Sequence, residues 1–359
     1  MSTNVNSRRS IDALLHLTLN PESAEPLRYV ADLSPAQRAE FIGIANRNHV
    51  VVRACNVIGS HAQRLGSEEL KEWTRGVLAA ESARIDNALE FLTSICRELE
   101  SNGCPVCVLK SLDHTPDLGG DLDLFTTANE QAVITAMLKA FRAQVQPRSL
   151  GDCLANKWSF AIPGLREAVE VHVQRLGQAG EHTELAKRFI IRRRHKRVQK
   201  FIFFVPAPEE TVLAATFQRM YRHFFLRVCD ILNTATLIQD QQLDYAELKR
   251  KARAGGIWPG VATYLTLVAD YVNRYSGTVL GIPEWISSAA LFRSNKIFCR
   301  GPFLRIPLMP YVGMLYSLQL VQTTFAGHLS AALRLSLLPA LFSLAAVHGK
   351  VTGKDQGVW

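Results

Sequence analysis

The chain has 359 residues, 48% of them hydrophobic, and a formal net charge of +9. That length and apolar content exclude a small module without a core and predict two or three domains. The basic balance points to an anionic partner (nucleotide, nucleic acid or membrane surface) without choosing among them.

Seven cysteines, an odd number, and a polar start from Met1 to Ser10 with no apolar segment predict free thiols in a reducing, cytoplasmic setting. Residues 1–103 read as a helical region. Ser34 followed by Pro35 is an N-cap with proline at the first helical position. Between Ser67 and Asn102 a long pattern puts Ile85, Leu89, Leu92, Cys96 and Leu99 on one face, and Gly103 is its stop. From Cys104 the apolar period changes from helical to two. Residues 104–205 are expected to form an α+β unit, helices on a small mixed sheet, with strands at 105–109, 121–125, 158–162, 168–173 and 201–205. Thr127 with Glu130 reads as a capping box opening a helix to Gln144. After Pro206-Ala207-Pro208, residues 206–359 are expected to be helical again. Apolar positions run through Leu213, Phe217, Tyr221, Phe224 and Val228, and further helices are expected at 245–254, at 261–275 and from Pro310 onward.

The chemistry concentrates between Val106 and Phe125. A short apolar run ends in Leu109-Lys110-Ser111, and after a polar loop come Gly119-Gly120 and then Asp121-Leu122-Asp123-Leu124-Phe125. On a strand, Leu122 and Leu124 take the core face while Asp121 and Asp123 share the other. Two carboxylates side by side repel unless a cation lies between them, and hard oxygen ligands suit Mg²⁺ or Mn²⁺. A solvated strand face or turn is the competing reading. In Ala168-Val-Glu-Val-His-Val173, Glu170 and His172 share one face. If that strand lies beside 121–125, Glu170 completes a three-carboxylate cluster; otherwise it is an acidic residue on an edge strand. His172 reads as a structural hydrogen-bonding residue rather than a ligand.

Leu109-Lys110-Ser111, Gly120-Asp121-Leu122-Asp123-Leu124 and Glu170-Val171-His172 together resemble the uncharacterised nucleotidyltransferase family of the DNA polymerase β-like superfamily. His223 and the Arg227…Asp230 pair stand at comparable places, so the resemblance covers residues 85–255. It implies a nucleotidyltransferase core between two helical regions. The implied reaction is metal-dependent transfer of a nucleoside monophosphate from an NTP to an acceptor, a small molecule, protein or RNA, with release of pyrophosphate. By resemblance, Asp121 and Asp123 bind Mg²⁺ or Mn²⁺, Glu170 is the third carboxylate, and Lys110 and Ser111 face the triphosphate. Gly119 and Gly120 allow its close approach. The sequence departs from the pattern at Ser111, where glycine is usual, at Glu170, where aspartate is commoner, and at Val173, where an aromatic residue often follows the histidine. The alternatives are a catalytically silent, nucleotide-sensing or scaffold protein of the same fold, and an RNA-modifying, toxin-like nucleotidyltransferase.

Four further features complete the reading. The basic run within 187–200 is either a solvated helix end or loop, or an attractant for a triphosphate or RNA backbone. Arg227 and Asp230, three apart on an expected helix, read as a structural ion pair, with a substrate-pocket role as the alternative. Cys104-Pro-Val-Cys107 has redox-motif spacing but enters a strand after a helix, against the usual order. Residues 306–333 lack Asp, Glu, Lys and Arg, yet Pro310, Gly313 and Gly327 interrupt them. They read as a core helix pair or partner-binding surface, with a membrane-associated helix as the alternative.

Overall fold

A computed structural model describes residues 2–340. Met1 and residues 341–359, the end of the 206–359 segment, lie outside the described residues. The first hundred residues form five helices: α1 (Ser2–Leu19), α2 (Ala24–Ala31), α3 (Pro35–Arg47), α4 (Val51–Leu65) and α5 (Glu68–Ser101). Ser34 caps α3 as expected: its hydroxyl accepts the Gln37 N–H, and the Gln37 side chain accepts the Ser34 N–H at 2.9 Å. The long helix α5 buries Ile85, Leu89, Leu92 and Leu99, with Ile95 rather than Cys96 completing the face. Gly103, at φ +70°, lets the chain double back so that Cys104 N–H reaches the Leu99 carbonyl and Gly103 N–H that of Glu100.

The α+β part follows. Its elements are β1 (Val106–Val108), β2 (Asp121–Thr126), α6 (Glu130–Phe141), β3 (Gln144–Val145), α7 (Leu150–Leu154), β4 (Lys157–Ala161) and β5 (Ala168–Val173). The five strands make one mixed sheet in the order β1-β2-β5-β4-β3. β2 and β5 run parallel and all other neighbours antiparallel. One sheet face carries Val106, Val108, Leu122, Leu124, Val169 and Val171 onto α5 and α6. α6 starts later than the Thr127–Glu130 box predicts. Asn129 is its cap, accepting the Gln131 N–H at 2.8 Å, and the helix ends at Phe141 because Arg142 turns to φ +48° and Gln144 joins the sheet.

α8 (Glu184–Ile191) leads into the hairpin β6 (Arg194–Val198) and β7 (Phe201–Val205). The basic run is therefore a helix end and a strand, not a free loop. Its charges are largely answered: Arg188 and Arg192 meet Glu209, Glu210 and Glu247, and Arg193 meets Glu100.

Then come α9 (Pro208–Thr216), β8 (Phe225–Leu226), α10 (Val228–Gln239), α11 (Tyr245–Ala254), α12 (Trp258–Ser276) and α13 (Glu284–Ser287). They are followed by β9 (Phe298–Arg300), β10 (Phe303–Arg305), α14 (Gly313–Phe325) and α15 (Leu329–Ser336). The helix expected to continue through Val228 is broken. After α9 the chain widens into a π-turn at Phe217–Arg222, Phe224 turns to φ +55°, and β8 pairs with β10 before α10 begins. The apolar spacing persists across the break because Phe224, just before β8, and Val228, at the start of α10, are both buried. One hydrophobic core unites residues of α1, α3 and α4 with residues of α9, α10 and α12. All seven cysteines are free. No helix among the described residues is long and apolar enough to cross a membrane. α14 buries Leu315, while Phe325 at its end and Leu329 and Leu333 on α15 are exposed.

Candidate functional site

The parallel pairing of β2 with β5 sets Asp123 directly opposite Glu170 and Phe125 opposite His172. Because alternate residues share a face, Asp121, Asp123, Glu170 and His172 all stand on the side away from α5 and α6. Donor atoms of Asp123, Glu170 and His172 lie within 4.8 Å of one another. Glu170 thus reaches the Asp-x-Asp strand, and His172, read from sequence as structural, stands among the possible ligands.

The carboxylates differ in surroundings. Asp123 is 1% exposed, and neither of its oxygens has a hydrogen-bond partner of good geometry. Lys110 Nζ lies 3.0 Å from Oδ2 and His172 Nε2 3.6 Å from Oδ1. Burial pushes the Asp123 carboxyl up, but Lys110 and His172 outweigh it and hold the group well below the usual carboxylate range. Asp121 goes the other way. The Asp123 charge, then burial, raise it against the pull of Lys110 and Arg227. Glu170 is held by Lys157, whose Nζ lies 3.0 Å from both carboxylate oxygens and 3.2 Å from Asp152. Burial keeps His172 below its ordinary value despite Asp123.

A buried carboxylate with unsatisfied oxygens, a second carboxylate and an imidazole within one small volume fit a divalent cation. The two carboxylates favour Mg²⁺ or Mn²⁺ and the imidazole a transition-metal ion such as Mn²⁺, while Asp121, on the same face, stands outside the group of donors that lie within 4.8 Å of one another.

Lys110 opens the loop, just before the turn at Ser111–His114, and lies beside Asp123. Ser111 is buried, its hydroxyl accepting the Asp123 N–H at 2.8 Å and donating to the Asp121 carbonyl at 3.3 Å. It ties the loop to β2, and its donor is taken up within the fold. Gly119 is needed for a different neighbour than a phosphate: a Cβ there would stand 2.6 Å from the His49 ring. Gly120 faces open space.

Several residues of this region carry no sequence signal. Lys157 is the first residue of its strand, and only the β4–β5 register, Lys157 opposite His172, brings it to Glu170. Asp230 pairs with Arg219 at 2.6 Å and accepts the Arg227 backbone N–H at 2.7 Å, so the expected Arg227–Asp230 side-chain pair is not made. His49 and His114 are buried and His223 half-buried around the site, and desolvation together with Arg219, Arg227 and Lys110 keeps each well below its ordinary value. No protein-family model, no curated protein and no solved structure matches the chain.

Proposed function

We propose that the chain is a metal-dependent nucleotidyltransferase. The supporting observation is the in-register β2–β5 pairing, which puts Glu170 across from the buried Asp123, with Asp121 two residues away on the same face. Asp121, Asp123, Glu170 and His172 would hold Mg²⁺ or Mn²⁺. When bound, the cation supplies charge neutralisation for the phosphate oxygens of the NTP. The acceptor oxygen forms a bond to the α-phosphorus, the α–β anhydride bond breaks, and pyrophosphate leaves. Glu170, whose side chain is 20% exposed, takes the acceptor proton. Lys110 turns from Asp123 towards the phosphates, which keeps its charge compensated throughout.

A second reading is a nucleotide-binding scaffold without turnover. It is favoured by Lys110 on Asp123 and Lys157 on Glu170, which neutralise both carboxylates without a metal ion. The discriminating experiment follows transfer of α-labelled NTPs into a cell extract, with Mg²⁺ or Mn²⁺. Wild type should label an acceptor and release pyrophosphate, Asp123→Asn should do neither, and Glu170→Gln should be slower by about 10²–10⁴-fold. NTP binding without pyrophosphate release by wild type would replace the enzyme with the scaffold.

A further inference from the structure

Beside the carboxylates lies a group of cations that the protein does not neutralise evenly. Lys110 is matched by Asp123, Lys157 by Glu170 and Asp152, Arg53 by Asp117, and Arg219 by Asp230. Arg227 is different. It follows β8, its backbone N–H caps onto Asp230, and Asp230's charge is spent on Arg219. Among the described residues Arg227 makes no side-chain ion pair, and its Nε is buried with no hydrogen-bond partner.

What positions this guanidinium is a pair of rings. Phe225 and Phe303 stack at 4.1 Å and 20° across the β8–β10 sheet, and the Arg227 Cζ lies 5.7 and 6.0 Å from them. The Arg219 and Arg305 guanidinium carbons lie 5.3 and 5.0 Å from Phe225, so three arginines gather around one ring. Asn48 anchors both sides of the arrangement, donating to the Pro302 carbonyl at 2.8 Å and accepting the Val228 N–H at 3.0 Å. Arg227 is close enough to Asp121 for each to influence the other's ionisation. Arg222, which also has no ion pair among the described residues, lines a small cleft with Lys110 and His172.

A half-buried guanidinium beside two stacked rings, its Nε sealed without a partner and no carboxylate paired with it, is suited to an external anion. We propose that Arg227 is a phosphate subsite, taking the polyphosphate tail of the nucleotide while the β2–β5 carboxylates face its α-phosphorus. This rests on the nucleotidyltransferase reading for the identity of the ligand, but not for the existence of the anion site.

The test is calorimetric titration of inorganic pyrophosphate into the full chain, in EDTA and without divalent metal. Wild type, Arg227→Gln and Arg253→Gln are compared, the last removing the same charge from an exposed position on α11. Arg227→Gln should bind about 10–100-fold more weakly, the loss of one or two charge-assisted hydrogen bonds, and Arg253→Gln should match wild type. The melting temperature of Arg227→Gln should stay close to that of wild type, since no ion pair of Arg227 is lost. Unchanged pyrophosphate affinity in Arg227→Gln, or none in wild type, overturns the subsite. ATP should displace the pyrophosphate, and independent filling of the two overturns the assignment to the nucleotide. Should Arg227→Gln fail to fold, phenylglyoxal labelling of the wild type decides: pyrophosphate must protect the Arg227 peptide from modification. Absent transfer activity with this binding pattern intact would sink the enzyme reading and leave the anion site standing.

Discussion

Asp113 lies in the short 3-10 turn at Ser111–His114 that links Lys110 to the loop before β2. Burial pushes its carboxyl from the ordinary 3.8 up to about 6, against the pull of Lys196 and Arg194. The folded protein therefore holds this proton more tightly than the unfolded chain does. The stability so conferred is complete below pH 4 and is lost as pH rises through about 6. Asp113→Asn should raise the melting temperature at pH 7 and lose that advantage at pH 4; an equal shift at both would show that the carboxyl is not the cause. At this scale the sequence speaks clearly wherever a strand alternates. Asp121, Asp123 and Glu170 were legible because period-two patterning assigns a face without knowledge of neighbours. Lys157 and the Arg219–Asp230 pair were not, since each depends on which elements become adjacent. Gly119 was legible as a residue of close approach, but the approaching group is the His49 ring.

Among the elements, α4 has an unusual start. Its own N-cap residue, Val50, offers no side-chain acceptor, and Asp117 from the loop before β2 supplies one. The Asp117 carboxylate accepts the Val52 N–H at 2.6 Å and the Arg53 N–H at 3.3 Å, while Arg53 donates to the Thr115 carbonyl at 2.8 Å. The loop of the candidate site is thus pinned to the N-terminal helices. Asp117→Ala should destabilise the protein by about 1–3 kcal/mol in urea unfolding, through the lost cap and the unsatisfied N–H groups. A loss below a few tenths would mean that water replaces it. Element boundaries were legible where local chemistry sets them, as at Ser34-Pro35 and Gly103. They were not where tertiary pairing intervenes. The chain after α9 looks helical by spacing alone, yet Phe225-Leu226 is drawn off to pair with β10. The basic run likewise becomes a strand because its partner, Phe201–Val205, is a strong β-former with an apolar face.

For the whole molecule, the mixed α+β composition followed from the change of apolar period at Cys104 and back at Pro206. The way the ends of the chain combine did not, because no local pattern records which apolar faces meet. Cation binding should register globally. Mn²⁺ at about 100 times its dissociation constant should add about 2.7 kcal/mol of stability, seen as a higher melting temperature in wild type but not in Asp123→Asn. Equal shifts in both would place the ion elsewhere.

The core shared by α1, α3 and α4 with α9, α10 and α12 has a consequence for how the protein is made. The apolar faces around Leu14, Phe41 and Ile58 leave the ribosome without the segments, from Val212 onward, that will cover them. At ordinary elongation rates the interval is roughly 8–30 s. During that time the nascent chain displays unsheathed helices while the sheet and its α5–α6 cover can already close. Newly emerged chains are therefore exposed to mispairing with one another on crowded messages, and their yield is set by what shields the first three score residues until the last helices arrive.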